Sequence, residues 1–505
     1  MHAQILVIDF GSQFAHLISR RVRDLAVSAD VVPSTIAADE VATRKPRGII
    51  LSGGPASIYE EGAPGMDENI LDLGIPVLGL CYGHQLMAHL TGGSVRAGDK
   101  REYGLATLRK TKDSQLLKGI GEQEQVWMNH GDIVGQLGQG FVATGATQNC
   151  GNACYEHQGR NLYGCQFHPE VTHTLCGSMI FSNFLRICKT EQDFGMKNIA
   201  EQAIAELAGK LNGRKAVIGL SGGVDSMTAA VLAAKAAPEQ ITAIFVDTGF
   251  MREGEAQEVR DAMAPLGLDV HIVDARTRFY QGLKGIIDPE EKRKAIGRMF
   301  IEVFREHAKG ARVLIQGTIY PDRIESGGSA HASKIKSHHN VGGLPENVGM
   351  DIVEPLRELY KDEVRRLALQ LGCPDELVWR HPFPGPGLAV RILGEATEER
   401  AAIVARANAI LEEEMHGADL YKDIWQGFCV LLPISSVGVQ GDARSYKQVI
   451  GIRLVKSTDA MTAEFAKVPW DFLEQVSTRI TNEMTQVNRV VYDITHKPPA
   501  TIEWE

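Results

Sequence analysis

Short apolar runs alternate with amphipathic stretches through the first third of the chain. The runs at 5–10, 48–51 and 76–80 are rich in Ile, Leu and Val and bounded by Gly, Pro or Ser, the pattern of buried strands. Residues 13–25 and 84–90 read as helices instead. This alternation predicts an α/β domain with a largely parallel sheet. Near 189–195 the apolar pattern fades into Lys-Thr-Glu-Gln-Asp, which marks a boundary, and a helix is expected over 198–211. A second α/β pattern follows, with strands at 215–220, 241–247, 269–274 and 312–316 and a helix over 226–237. The stretch 323–345, rich in Gly, Ser, His and Lys, is too long for a plain connection and suggests a functional loop. After the turn-rich Phe383-Pro384-Gly385-Pro386-Gly387 comes an α+β-like segment, with a helix over 398–414 and strands near 429–433 and 489–493. The expected fold is therefore two successive α/β domains with mainly parallel sheets, 1–194 and 195–382, then a smaller α+β domain, 383–505.

A length of 505 residues suits about three domains. The 63 acidic residues outnumber the 53 basic ones, for a formal charge of -10, which argues against a basic coat and a nucleic-acid partner. No apolar run approaches the ~18–20 residues of a membrane helix, and the N-terminus lacks the pattern of a signal peptide. No membrane partner is expected, and the location expected is cytoplasmic. The eight cysteines include no C-x-x-C pair, so neither a disulfide scaffold nor a zinc ribbon is supported. Glycine is the informative excess: 52 of 505 residues, above the usual ~7% and gathered in short clusters. Such clusters build backbone-lined anion and oxyanion sites.

Gly79-Leu80-Cys81-Tyr82-Gly83 follows a predicted strand and leads into a predicted helix. Its G-x-C-x-G form is the cysteine version of a nucleophile elbow, in which glycines permit a sharp turn and the helix N-terminus favours thiolate. A buried cysteine between two glycines is the plainer alternative. Downstream, Phe167-His168-Pro169-Glu170 puts a histidine and a carboxylate two residues apart, on one side of an extended segment. Glu170 can then orient the imidazole that deprotonates Cys81. Upstream, Leu51-Ser52-Gly53-Gly54-Pro55 follows another predicted strand. Its backbone N–H groups, with that of Tyr82, can form an oxyanion hole, or the segment is an ordinary turn.

A second glycine cluster, Gly219-Leu220-Ser221-Gly222-Gly223-Val224-Asp225-Ser226, also joins a predicted strand to a predicted helix. Its free N–H groups and the helix N-terminus make an anion site, to which Ser221 and Ser226 add hydroxyls. Asp225 repels phosphate unless a cation lies between, which makes it a candidate Mg²⁺ ligand. The string is neither G-x-x-x-x-G-K-[ST] nor G-x-G-x-x-G, so a Walker ATPase and a nicotinamide-binding fold lack their fingerprints.

The first set of pieces resembles the class I glutamine amidotransferases, which hydrolyse glutamine to glutamate and ammonia. That resemblance implies Cys81 as nucleophile, His168 as general base and acid, Glu170 as the orienting carboxylate, and Gly54 and Tyr82 as oxyanion donors. Asp9-Phe10-Gly11-Ser12-Gln13 and Trp127-Met128-Asn129-His130-Gly131-Asp132 are similar to the same family, although Ser is its expectation at 129. The Ser-Gly-Gly-x-Asp-Ser string resembles N-type ATP pyrophosphatases. There Ser221, Gly222, Gly223, Val224, Asp225, Ser226 and Met227 would hold ATP phosphates, and Val246 would lie near the adenosine. Further strings extend the likeness to the whole chain: Gln316–Asp322, Ile335–Asn340, His381–Leu388, Val437–Asp442 and Asp493–Glu505. They are similar to the family of glutamine-hydrolysing GMP synthases and argue against an NAD synthetase.

That family resemblance implies an adenylyl-XMP intermediate attacked by ammonia, and XMP, ATP and glutamine as substrates. It also implies Mg²⁺ with ATP, no tightly bound organic cofactor, and a homodimer formed by the C-terminal segment. Arg293, Asp442, Lys497, Ile502 and Glu503 would contact XMP, and Lys336 would pair with charge on the ATP phosphates. His338 and His339 stay open between ligands, acid–base groups and plain loop residues, and Gly327-Gly328-Ser329 suggests a lid.

Overall fold

Near-continuous burial defines the centre of the N-terminal sheet: all residues of Gly48–Leu51 and of Val77–Leu80 are buried. Strands of this kind belong to parallel sheets covered on both faces. The strands in this region are β1 (Ile5–Asp9), β2 (Ala29–Pro33), β3 (Gly48–Leu51), β4 (Val77–Leu80), β5 (Ser94–Lys110), β6 (Gln123–Gln136), β7 (Phe141–Ala146), β8 (Cys154–His157) and β9 (Leu162–Cys165). They form one sheet in the order β2-β1-β3-β4-β9-β8-β7-β5-β6. The first five strands in this order are parallel. The other four join through antiparallel ladders. Side chains alternate between two cores. Ile5 and Val7 pack with Ile18 and Val22 of the helix Ala15–Asp24, while Leu6 and Ile8 pack with Leu86 and Met87 of the helix Tyr82–Leu90. The strands expected at 5–10, 48–51 and 76–80 are found to within a residue. The long β5–β6 pair was not foreseen, although Val126, Met128 and His130 of β6 are buried at strand spacing.

The computed structural model describes residues 3–12, 14–322, 350–440, 443–457 and 462–505. It divides into two compact units, Met1–Asn198 and Ile199–Glu505. Among the described residues no helix is long and apolar enough to cross a membrane.

The second unit contains a five-stranded parallel sheet: β10 (Ala216–Leu220), β11 (Ile241–Asp247), β12 (Val270–Asp274), β13 (Val313–Ile315) and β14 (Asp351–Val353). Its order is β12-β11-β10-β13-β14. The order reverses at β10, so the crevice beyond the carboxyl end of β10 is a topological switch point, where open α/β sheets bind ligands. A third sheet holds β15 (Gln426–Gln440), β16 (Ala443–Lys456), β17 (Glu464–Phe465) and β18 (Val487–Tyr492). β15 and β17 pair antiparallel with β16, and β18 pairs parallel with it. One hydrophobic cluster joins Val217, Ile244 and Leu314 to Ile403, Val404, Leu431 and Ile450. The turn-rich segment at 383–387 is thus no free linker. It leads straight into Leu388, whose N–H donates to Phe250 O at 2.7 Å.

Candidate active sites

The chain turns sharply at the end of β4. Cys81 has φ 50° and ψ -104°, and the helix Tyr82–Leu90 starts at the next residue. An L-residue with this backbone stores strain, which persists only where the surroundings hold it. Here Cys81 N–H donates to Cys165 O at 2.9 Å, and Gly83 N–H donates to Ser52 O at 3.0 Å. The flanking glycines are required by close approach. A Cβ on Gly79 would lie 2.6 Å from Gly83 O, and one on Gly83 would lie 2.5 Å from the Leu51 side chain and carbonyl.

His168 and Glu170 follow β9, the strand beside β4. His168 Nδ1 and Glu170 Oε1 are 2.7 Å apart, both groups almost wholly buried. The main chain around them is pinned: His168 N–H donates to Trp127 O at 3.0 Å, Thr174 Oγ1 to His168 O at 2.6 Å, and Arg21 Nε to Glu170 O at 2.8 Å. Burial alone would lower the imidazole pKa. The Glu170 charge and the neighbouring Cys81 thiol outweigh it and push the pKa up to about 10. His168 Nε2 has no aligned hydrogen bond, yet it lies near enough to Cys81 to feel its charge.

A Cβ on Gly53 would sit 3.3 Å from His168 Cε1 and 3.7 Å from Cys81 Cβ, and one on Gly54 would sit 3.2 Å from Tyr82 Cγ. The structure therefore brings Cys81, His168, Glu170, Gly54 and Tyr82 together. Among the described residues the N–H groups of Gly54 and Tyr82 have no acceptor. Sequence reasoning missed the buried amides. Gln85 Nε2 donates to Asp132 O at 2.8 Å and to Gln166 Oε1 at 3.2 Å, leaving Gln166 Nε2 3.9 Å from Cys81 Sγ. Asn129 meets the thiol through its main-chain oxygen, 3.7 Å from Sγ, while its residue is exposed. The Asn found where the family suggests Ser therefore leaves this contact intact.

In the second unit Ser221-Gly222-Gly223 joins β10 to the helix Val224–Ala236. Ser221 N–H donates to Ser226 Oγ at 3.2 Å, the two hydroxyls are 3.1 Å apart, and Ser226 Oγ donates to Gly223 O at 3.0 Å. The loop is thereby folded before any ligand arrives. Gly222 has φ 74°, and a Cβ there would collide with the Glu255 carboxylate. Met227 and Val246 are buried, so their side chains serve the core. Asp225 Oδ2 pairs with Lys361 Nζ at 2.6 Å, while Oδ1 is buried and without a partner. A free carboxylate oxygen beside a phosphate cradle suits Mg²⁺, which takes one or two carboxylates and completes its shell with phosphates and water. That mode needs no dense ligand cluster, and among the described residues no group of three or more His, Cys, Asp or Glu could hold a metal. Lys361 gave no signal in the sequence, because 136 positions separate it from Asp225.

Of the residues expected around XMP, Arg293 lies on the helix Pro289–His307. That helix was not foreseen, although Asp288-Pro289-Glu290-Glu291 is a start signal; the Asp288 side chain accepts from Glu291 N–H. Arg293 pairs with Glu290 at 2.6 Å and donates to Glu505 O. Beside it, the fully buried Lys292 donates to Ile392 O at 2.7 Å, to Ala389 O at 3.3 Å and to the Glu505 carboxylate. Glu503 is gripped by Arg391 at 2.8 and 3.1 Å and by Gln426 at 2.8 Å. Arg391 itself is buried between the rings of Phe383 and Phe428. Ile502 packs with Phe428, Val430 and Ala463, and Ala463 exchanges main-chain hydrogen bonds with Lys497. Arg293 thus meets the C-terminal tail at Glu505 and Arg391 meets it at Glu503, while Lys497 and Ile502 share the neighbourhood of Ala463. Asp442, Lys336, His338, His339 and the Gly327–Ser329 string lie outside the described residues. His381, from another quoted string, is framework: it donates from Nε2 to Tyr421 O at 2.8 Å and accepts Gly427 N–H at Nδ1 at 3.1 Å. Burial holds its pKa down at about 4.

Known proteins resemble the chain along its whole length. Residues 6–188 match the family glutamine amidotransferase class-I, residues 197–319 the family NAD synthase, and residues 413–504 the GMP synthase C terminal domain. Curated relatives carry the name GMP synthase [glutamine-hydrolyzing]. The one from Bacillus licheniformis is 50% identical over 510 residues, covering 100% of this chain and 99% of the relative. That from Bacillus subtilis is 49% identical over 510 residues with the same coverage. That from Aquifex aeolicus is 48% identical over 505 residues, covering 99% of each.

Proposed function

The chain belongs to the family of glutamine-hydrolysing GMP synthases, and from that premise we propose how its residues divide the reaction. The enzyme is a ligase that forms a C–N bond, making GMP from XMP, ATP and glutamine with release of AMP, pyrophosphate and glutamate. The observation that carries this reading is the presence, in one chain, of a cysteine elbow backed by a His–Glu pair and a folded Ser-Gly-Gly cradle at a sheet switch point. The test is a steady-state assay with ATP, Mg²⁺, glutamine and XMP, following AMP and GMP together. Turnover only when nicotinic acid adenine dinucleotide replaces XMP would sink it.

Residues 1–194 are proposed as the glutaminase. Cys81 Sγ attacks the γ-carboxamide carbon, and the oxyanion forms against the N–H groups of Gly54 and Tyr82. His168 takes the proton that the Cys81 thiol gives up, hands it to the leaving ammonia, then takes one from the water that opens the thioester. Glu170 holds the ring and the charge. Glu170→Gln removes the main influence that raises the His168 pKa, so the alkaline limb of the glutaminase rate should move down from about 10 toward the ordinary 6.5. Its kcat should fall roughly 10²–10⁴-fold. The same raised pKa stabilises the fold below pH 6.5, and that contribution is lost as pH rises through about 10. An unmoved pH profile in the variant would refute the role of Glu170.

Residues 195–382 are proposed to adenylate XMP and 383–505 to complete its site and dimerise, although 199–505 pack as one unit. The purine O2 attacks the α-phosphorus of ATP, pyrophosphate leaves into the 221–226 cradle, and ammonia then displaces AMP at C2. Bound with ATP, Mg²⁺ neutralises phosphate charge. Asp225 Oδ1 would hold it, and Lys361 lies beside the same carboxylate. Arg293, Lys497, Ile502 and Glu503 are the proposed XMP contacts, joined by Asp442, and Lys336 is proposed for the ATP phosphates. The setting is cytoplasmic, with no nucleic-acid or membrane partner, as the acidic composition and sparse cysteines lead one to expect.

The homodimer is proposed to form through the open face of the third sheet. Val437, Val439 and Tyr446 are about half to three-quarters exposed there, and Val437 pairs across the ladder with Tyr446. Apolar side chains grouped on one exposed face mark an interface. Val439→Asp with Tyr446→Asp should halve the mass seen by light scattering, and an unchanged mass would rule this face out.

A further inference from the structure

We propose that Ser52 is a positioning residue for glutamine hydrolysis: its hydroxyl fixes the peptide between Gly53 and Gly54 so that the Gly54 N–H stays available to the oxyanion. This rests on the reading of Cys81 as nucleophile and of Gly54 as donor.

Ser52 is fully buried at the end of β3. Its N–H donates to Ile8 O at 3.0 Å, and its carbonyl accepts Gly83 N–H at 3.0 Å. Its hydroxyl oxygen accepts Phe10 N–H at 3.1 Å, and its hydroxyl proton goes to Gly53 O at 2.8 Å. The side chain thus ties the main chain at the end of β1 to that just after β3. With Phe10 N–H occupying the oxygen, the hydroxyl proton has a single acceptor, and the Gly53 carbonyl is tied to Ser52.

The peptide joining Gly53 to Gly54 is trans, so its N–H points opposite to its carbonyl. Tying Gly53 O inward therefore turns Gly54 N–H away from Ser52. No acceptor meets that N–H among the described residues. Gly53 itself is packed against His168 and Cys81, and Gly54 against Tyr82, so the peptide borders the reacting thiol. A peptide between two glycines has no side chain to bias it, and both rotations are open to it. Without the Ser52 hydroxyl it is free to turn over. A turned peptide presents a carbonyl oxygen where the oxyanion forms, and like partial charges repel.

Ser52→Ala is the test, made in the full-length enzyme. Loss of one oxyanion donor costs about 10²–10³-fold in kcat, so partial misorientation should lower glutaminase kcat by roughly 10–100-fold. KM for glutamine, alkylation of Cys81 by iodoacetamide and GMP formation from ammonium salt should stay at their parent values. The binding of glutamate γ-semialdehyde, which forms a tetrahedral adduct with Cys81, should weaken by the same factor as kcat. Parent-like kcat overturns the proposal. So does an alkylation rate that falls in step with kcat, because the nucleophile itself would then have moved. Cys81→Ala is run alongside. If it still hydrolyses glutamine, the reading of the site fails; if it is inert while Ser52→Ala is unaffected, only the role of Ser52 fails. Because Ser52→Ala also strips Phe10 N–H of its acceptor, Ser52→Cys, of similar size and a poor donor, decides the matter should the alanine variant not fold. The same signature is expected of it, and its absence overturns the proposal.

Discussion

Cys81→Ala should abolish GMP formation from glutamine and leave formation from ammonium salt at the parent rate. Removing the nucleophile of a nucleophile–base pair typically costs about 10⁶-fold in kcat, because the remaining groups have no covalent path to assist. Among the described residues no second thiol or amine stands at the elbow. Gln166 is neutral, and the other cysteines of the unit are buried in its core. The residues proposed for adenylation belong to the other compact unit, so ammonia supplied from solution should need none of the elbow. The measurement is paired initial rates with the two nitrogen sources. Loss of both activities would mean that Cys81 holds up structure, and retention of the glutamine-driven rate would mean that it does no chemistry.

Asp225→Ala should have the broader effect: no AMP or pyrophosphate release with either nitrogen source. A cation on the ATP phosphates contributes several kcal/mol, so the loss expected is roughly a thousandfold or more. The substitution does a second thing. It deletes the partner of Lys361, whose ammonium lies 2.6 Å from Asp225 Oδ2, and frees that cation. Asp225→Asn, which keeps the shape but not the charge, shows whether the charge itself is needed. If Asn is as damaging as Ala, the carboxylate charge is what matters; if Asn restores the rate, a polar side chain of this shape suffices and the metal role fails. Pyrophosphate release at the parent rate from Asp225→Ala would remove Asp225 from the mechanism.

Both sites were legible in the sequence to the extent that their parts are local. Cys81 and its glycines span five consecutive residues, and so does the turn that carries Ser221 through Asp225. Strand, turn and helix start are encoded there together, so a string suffices. His168 and Glu170 were recoverable because they stand two residues apart, although the chain there is a turn after β9 and not the extended segment expected. What escaped reaches the sites through tertiary packing. Lys361 meets Asp225 across 136 positions, and Arg391 meets Glu503 across 112. Neither carries a local mark, since a lysine at a helix start and an arginine in a tight turn are ordinary surface choices until the fold gives them these partners. Gln85 and Gln166 were hidden for the same reason. The apparent break at 383–387 misleads about packing because turn-forming residues say only that the chain bends. Leu388, Ala389 and Ile392, immediately after it, enter a core shared with the parallel sheet.

The contact between Gly83 and Leu51 has a consequence for attempts to redesign the nitrogen donor. A side chain added at Gly83 or Gly79 meets backbone at 2.5–2.6 Å, and backbone buried in a sheet does not yield by small steps. These positions offer a directed-evolution campaign no graded intermediates; a variant there keeps the glycine or loses the elbow. Useful diversity has to come from positions beside the elbow whose side chains face solvent instead. Asn129 is exposed and touches the thiol only through its backbone. Substitutions there leave the turn that carries Cys81 and its glycines in place.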